Sequence, residues 1–158
     1  MKRALALSVC LIGLWLAGQA ASADSDASPF LPEGTRLWRG VQGGPTVGGS
    51  MVIHTEAGWN ELWNQIGHDV PQPAFDPEKD IVIAIFLGQR PTAGYDIRLT
   101  GTEIRDGFLH ILYEETVLGA PTPQVITTPY LVFIIPRPEL PLLVREVEDE
   151  EGIKGPEP

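Results

Sequence analysis

The sequence predicts an α+β fold, a mainly antiparallel, twisted β-sheet of about six strands, partly barrel-like, with one amphipathic helix packed on it. Three stretches carry that expectation. Ile81 to Leu87 (IVIAIFL) is an unbroken apolar run of strand length, rich in β-branched residues, as expected of a central strand buried on both faces. Tyr95, Ile97 and Leu99 alternate with Asp96, Arg98 and Thr100, and Asp106-Gly107 then fits a two-residue turn, with Phe108 to Glu114 returning as the second arm of an antiparallel hairpin. Trp59, Leu62, Trp63 and Ile66 fall at i, i+3, i+4 and i+7, one apolar stripe along a helix that must be buried against the sheet.

The elements follow in order. Lys2 and Arg3, the apolar stretch Ala4 to Ala17 and the small residues Ala21-Ser22-Ala23 form a secretory signal peptide, residues 1–23, with cleavage expected before Asp24. Its apolar segment is shorter than the ~20 residues that span a bilayer, so no transmembrane anchor is expected after cleavage. Cys10 follows Val9 rather than a small residue and lies inside the apolar stretch, too early for lipid attachment. Residues 24–34, rich in Ser, Asp, Pro and Ala, read as a flexible leader, and 35–148 as a single domain. Within it, Thr35 to Val41 is the first strand, Gly43-Gly44-Pro45 breaks it, and Gly48-Gly49 opens a second strand, Ser50 to His54. Thr55 caps the helix Glu56 to Ile66, Gly67 closes it, and Pro71 to Pro77 leads into the buried strand. Beyond the hairpin, a Pro-containing loop, Gly119 to Gln124, precedes a second strongly apolar strand, Tyr130 to Ile135. Leu140 to Val147 is a last, edge strand, and 149–158 an acidic Gly/Pro-rich tail.

Charge excludes some partners. The chain carries a net charge of −10, and removal of residues 1–23 leaves nine basic against twenty-one acidic residues. Nucleic acid and anionic lipid are therefore not expected partners; a basic protein surface would be steered toward the chain, although solubility alone also accounts for the charge. Cleavage also removes the only cysteine, so no disulfide or thiol chemistry is expected and the core must hold by packing.

No catalytic constellation emerges. His54, His68 and His110 lack the i, i+4 spacing of a helical metal site. Asp76, Glu78 and Asp80 lack the glycine and distal glutamate of a calcium loop, and read as a solvated turn. Ser25, Ser28 and Ser50 lie in the leader or at a strand start, with no G-x-S-x-G elbow. Glu114 and Glu115 are adjacent in a strand and point to opposite faces. The sequence predicts a protein that is not an enzyme and needs neither metal nor cofactor.

What remains is the loop GQRPTAGY, which leaves the buried strand at Gly88. Pro91 fixes its own φ, Thr92 can bond to nearby backbone and Gly94 is free to take φ > 0, so little ordering entropy would be lost on binding. Its candidate partner-binding residues are Gln89, Arg90, Pro91, Thr92, Ala93, Gly94 and Tyr95, joined by Thr128, Pro129 and Tyr130, which lead into the other apolar strand. Arg and Tyr are enriched at interface hot spots. The plainer alternative is a connecting turn in which Arg90 pairs an acidic residue and Tyr95 fills the core edge. Were their strands neighbours, Tyr95 and Tyr130 would flank one surface. Trp59 and Trp63 read as core, while Trp38, on the opposite face of its strand from Leu37, stays open.

From Ser50 to about Val147, the paired tryptophans of WNELW, the acidic entry FDPEKDIVIAIFLG, the loop GQRPTAGY and TTPYLVFIIPR together resemble the C-terminal domain of PrcB-like proteins, accessory subunits of bacterial cell-surface protease complexes. That resemblance implies export to the periplasm, cell surface or medium, a compact binding domain, and an exported protease or other envelope protein as partner. Two alternatives stand beside it. PTAGY is similar to the PTTGY loop of chagasin-like cysteine-protease inhibitors, although Arg90 stands where those have asparagine and Glu139 where their second wedge has tryptophan. A small-ligand or glycan-binding module would instead use Tyr95, Tyr130 or Trp38 as a stacking platform.

Overall fold

The computed structural model describes residues 30–67, 71–119 and 121–147. Seven strands and one helix follow in the order β1 (Arg36–Gly40), β2 (Val47–Ile53), α1 (Glu56–Ile66), β3 (Asp80–Gly88), β4 (Tyr95–Arg105), β5 (Phe108–Val117), β6 (Tyr130–Pro136) and β7 (Leu142–Glu146). The α+β class holds, but the strands form two sheets rather than one curled, partly barrel-like sheet. The first is antiparallel, in the order β1-β6-β3-β2; the second is β4-β5-β7, with β5 antiparallel to β4 and parallel to β7. Burial explains the split. β3 and β6 are apolar on both faces and lie side by side, so each face of their sheet needs its own cover.

Alternate residues of β3 sort the cover into two cores. Ile81, Ile83, Ile85 and Leu87 join Phe133 of β6 against Ile97, Leu99, Ile111 and Tyr113 of the second sheet. Val82, Ala84 and Phe86, with Tyr130, Val132 and Ile134, lie under the α1 stripe Trp59, Leu62, Trp63 and Ile66. The order is therefore helix, four-stranded sheet, three-stranded sheet. Trp38 belongs to the helix-side core, its ring edge-on to Trp63 at 5.6 Å, while Trp59 Nε1 donates to the carbonyl of Pro73 at 3.0 Å.

Local chemistry sets the element ends. Thr55 accepts a bond from the Gly58 N–H at 3.2 Å, and Gly67 ends α1 at φ 59°, in the left-handed region. Asp106 and Gly107 both have positive φ, as a type I′ hairpin turn requires. β4 and β5 run further than the sequence implied, past an irregularity at Leu99/Gly101. β7 pairs parallel because the chain crosses from one sheet to the other between β6 and β7, where no hairpin holds it antiparallel. Leu31 packs on the first core, so contacts begin ahead of Thr35, in the stretch expected to be a flexible leader. The signal peptide, residues 24–29 of the leader, His68 and the tail 149–158 lie outside the described residues. No helix among the described residues is long and apolar enough to cross a membrane.

Candidate functional site

The topology brings three loops to one end of the molecule: 41–46 between β1 and β2, 89–94 between β3 and β4, and 118–129 between β5 and β6. Close backbone approach begins at Gly88, with φ 78° and a Cβ position only 2.5 Å from the Gly48 nitrogen, which no side chain could occupy. Beyond it, the N–H of Gln89 donates to Thr46 O at 2.9 Å. Arg90 and Thr127 exchange both backbone bonds, at 2.8 and 2.9 Å, and the Thr127 hydroxyl donates to Thr92 O at 2.8 Å. The Ala93 N–H donates to Pro123 O, the Gly94 N–H to the Thr92 hydroxyl, and the Leu118 N–H to Gly94 O. Loop 89–94 is thus braced along its length by 118–129. Thr127, buried at 1% exposure, is the residue whose bracing role sequence reasoning missed; its signal was a β-branched hydroxyl pair, Thr127-Thr128, just ahead of a proline.

The predicted site residues meet different fates. Gln89 and Pro91 are exposed; Arg90, Thr92, Ala93, Tyr95 and Thr128 are half-buried; Gly94, Pro129 and Tyr130 are buried. Arg90 donates to Glu115 through Nε at 3.1 Å and Nη2 at 2.5 Å, and its Cζ lies 5.7 Å from the centre of the Tyr95 ring. The bond to Glu115 raises the Arg90 pKa further, so the charge is permanent and internally paired. Thr128 ties 118–129 to 41–46, accepting from the Gly43 N–H at its hydroxyl and from the Gly44 N–H at its carbonyl. Tyr95 and Tyr130 do not flank one surface. Their strands lie in different sheets: Tyr95 packs on the core between the sheets, whereas Tyr130 faces the helix side and covers Gly40, its cross-strand partner.

Sequence reasoning also missed how apolar this end is. Of the eleven exposed large hydrophobic side chains among the described residues, six are here: Val41, Val47, Val117, Leu118, Val125 and Ile126, with Val47 78% exposed and Ile126 60%. They come from three separated segments and cluster only in the fold. Across loops 41–46, 89–94 and 118–129, Arg90 is the single charged residue. Such a surface can be desolvated without stripping water from an unpaired charge.

Four of the acidic candidates are engaged elsewhere, whereas His110, buried in β5, has no hydrogen-bond partner at Nδ1 among the described residues. Asp76 accepts from the Lys79 ammonium at 2.6 Å and the Glu78 N–H at 3.0 Å, which lowers its pKa, and Asp80 pairs with Arg36 at 3.3 Å. Glu114 and Glu115 point to opposite faces, as expected, each with its own arginine, Arg98 and Arg90. Among the described residues, no group of three or more His, Cys, Asp or Glu side chains could hold a metal.

Compared with known proteins, residues 81–136 match the model of a family described as PrcB C-terminal. The matched stretch runs from β3 to β6 and contains loops 89–94 and 118–129; it is narrower than the resemblance from Ser50 to Val147, leaving α1 with WNELW outside. No curated protein and no solved structure matches the chain.

Proposed function

We propose that the chain is an exported, non-catalytic binding domain that docks on an exported protease through its looped end and serves it as an accessory subunit. One observation carries this reading: three mutually braced loops, with the strand ends Val47 and Val117 beside them, present six exposed apolar side chains, and the one charge within the loops, Arg90, is internally paired. A preformed surface whose loop charge is already paired loses little conformational freedom on binding and resembles the core of a protein interface more than an ordinary solvated surface. The family match supports it, since two of the three loops fall within the matched residues.

The test is capture of secreted and envelope proteins of the same source on the immobilised chain, with bound proteins identified by mass spectrometry. Wild type should retain a protease that Ile126→Asp and Leu118→Asp lose while keeping their folded circular dichroism spectra. Adding the chain should lengthen that protease's lifetime on heating, because binding only the native form stabilises it. Loss of turnover instead would assign the looped end to inhibition, and equal capture by both variants would remove it as the interface.

A further inference from the structure

We infer that β2 is a second docking element, an open sheet edge that accepts an extended segment of another protein as an added strand. Edge strands expose unpaired backbone N–H and C=O groups, and proteins blunt them with charge, proline, bulges or short length. Three of the four edges follow that rule. β1 carries Arg36 and Arg39, paired to Asp80 and Asp96. β4 carries Asp96, Arg98, Glu103 and Arg105 and is interrupted at Leu99/Gly101, while β7 has five residues and ends in Arg145-Glu146.

β2 does not. Its sequence VGGSMVI has neither charge nor proline, it pairs with β3 in one register from Val47 to Ile53, and five of its seven residues are exposed. Among the described residues, no strand lies on its outer edge.

A cleft of about 380 Å³ lies beside this edge, between the two sheets, lined by Val52, Ile81, Leu140 and Leu142 with the exposed His54 and Arg137. Side chains of an added strand would alternate between the faces of the sheet, so every second one would point to the side of Ser50 and Val52. One of these would reach the cleft, whose volume accommodates a leucine or aromatic side chain. The occupant's chemistry follows from charge. The cleft sets Glu139 beside Arg137, whose guanidinium already donates to Pro77 O, and the net charge of −10 repels a second copy of this chain and an acidic segment alike. The segment that fits is neutral to basic, with apolar residues at alternate positions. This rests on the reading of a protein-binding domain, but uses a different surface, which meets the looped end at Val47.

The test is selection of a phage-displayed random twelve-residue library on the immobilised full chain, followed by fluorescence polarisation with the most enriched peptide. Enriched sequences should alternate apolar residues and avoid Asp and Glu. Ser50→Lys at the edge and Leu140→Asp at the cleft should each weaken the peptide by at least about tenfold, with unchanged circular dichroism spectra, while Ile126→Asp leaves it unaffected. No enrichment, or a peptide indifferent to Ser50→Lys, overturns the proposal. A peptide lost only in Ile126→Asp reassigns recognition to the looped end, and a sedimentation dimer abolished by Ser50→Lys gives the edge to a second copy. Retained peptide binding alongside failed protease capture would leave the edge standing and remove only the looped-end reading.

Discussion

Arg90 illustrates how a side chain suited to an interface can be engaged within its own fold. Its guanidinium joins the root of loop 89–94 to Glu115 on β5 and shields one side of Tyr95. Arg90→Ala would leave a half-buried carboxylate without its partner, so we expect a loss of about 1–2 kcal/mol in urea unfolding, with Glu115→Gln costing less. The exposed Leu118 and Ile126 are cleaner probes of binding because neither braces the loop through its side chain. Sequence alone left Arg90 divided between a partner and an acidic neighbour, since Glu115 lies 25 residues away and a different sheet supplies it. Tyr113 gives a pH prediction. Burial, and then the negative charge of Glu146, push its pKa above the ordinary 10.0. The folded state therefore holds the phenol proton more tightly than the unfolded chain, a stabilisation complete below about pH 10 and lost as pH rises through the folded value. Urea midpoints of the wild type should fall above pH 10, and Tyr113→Phe should show a smaller fall.

At the scale of elements, what was legible followed from local chemistry. Thr55, the four-residue stripe and Gly67 fix α1 from neighbouring residues, and Asp106-Gly107 fixes the hairpin in the same way, so both could be placed before any tertiary contact was known. Thr55→Ala should accordingly cost about 1 kcal/mol in thermal or urea unfolding and leave capture of a partner unchanged, since the cap lies on a separate element from the looped end. The division into two sheets was not legible. A strand apolar on both faces requires cover on both, but nothing in its sequence says whether a helix, a loop or another sheet provides it; the pairing β1-β6-β3-β2 is set by contacts across the whole chain. The apolar end was hidden for the same reason. Val41, Val47, Val117, Leu118, Val125 and Ile126 look like scattered residues until β1, β3 and β5 finish where β2, β4 and β6 begin.

Across the whole molecule, the two ends of the four-stranded sheet differ in charge, although exposed apolar side chains such as Ile104 also stand beside charges at the β4–β5 turn. Asp76, Glu78, Lys79, Asp80, Arg36 and Arg137 gather at the end opposite the loops, where Arg36 bonds Ala74 O and Asp80, and the Arg137 N–H donates to Lys79 O. Loops 41–46, 89–94 and 118–129 carry Arg90 alone, already paired, and the strand charges beside them, Arg39 and Asp96, pair with each other. The net charge of −10 therefore governs solubility and long-range encounter, while contact at the looped end is governed by apolar burial. These two contributions respond differently to salt, because screening acts on separated charges at a Debye length of about 10 Å in 0.1 M salt and hardly touches a dry apolar contact. For the protease captured by the chain, Kd should move less than about threefold between 0.05 and 0.5 M NaCl, with a negative heat-capacity change by calorimetry across a series of temperatures. Any acceleration at low salt should appear in the association rate and leave the dissociation rate nearly constant. A Kd weakened tenfold or more over that range, carried by the dissociation rate, would place charged contacts inside the interface and move it away from loops 41–46, 89–94 and 118–129.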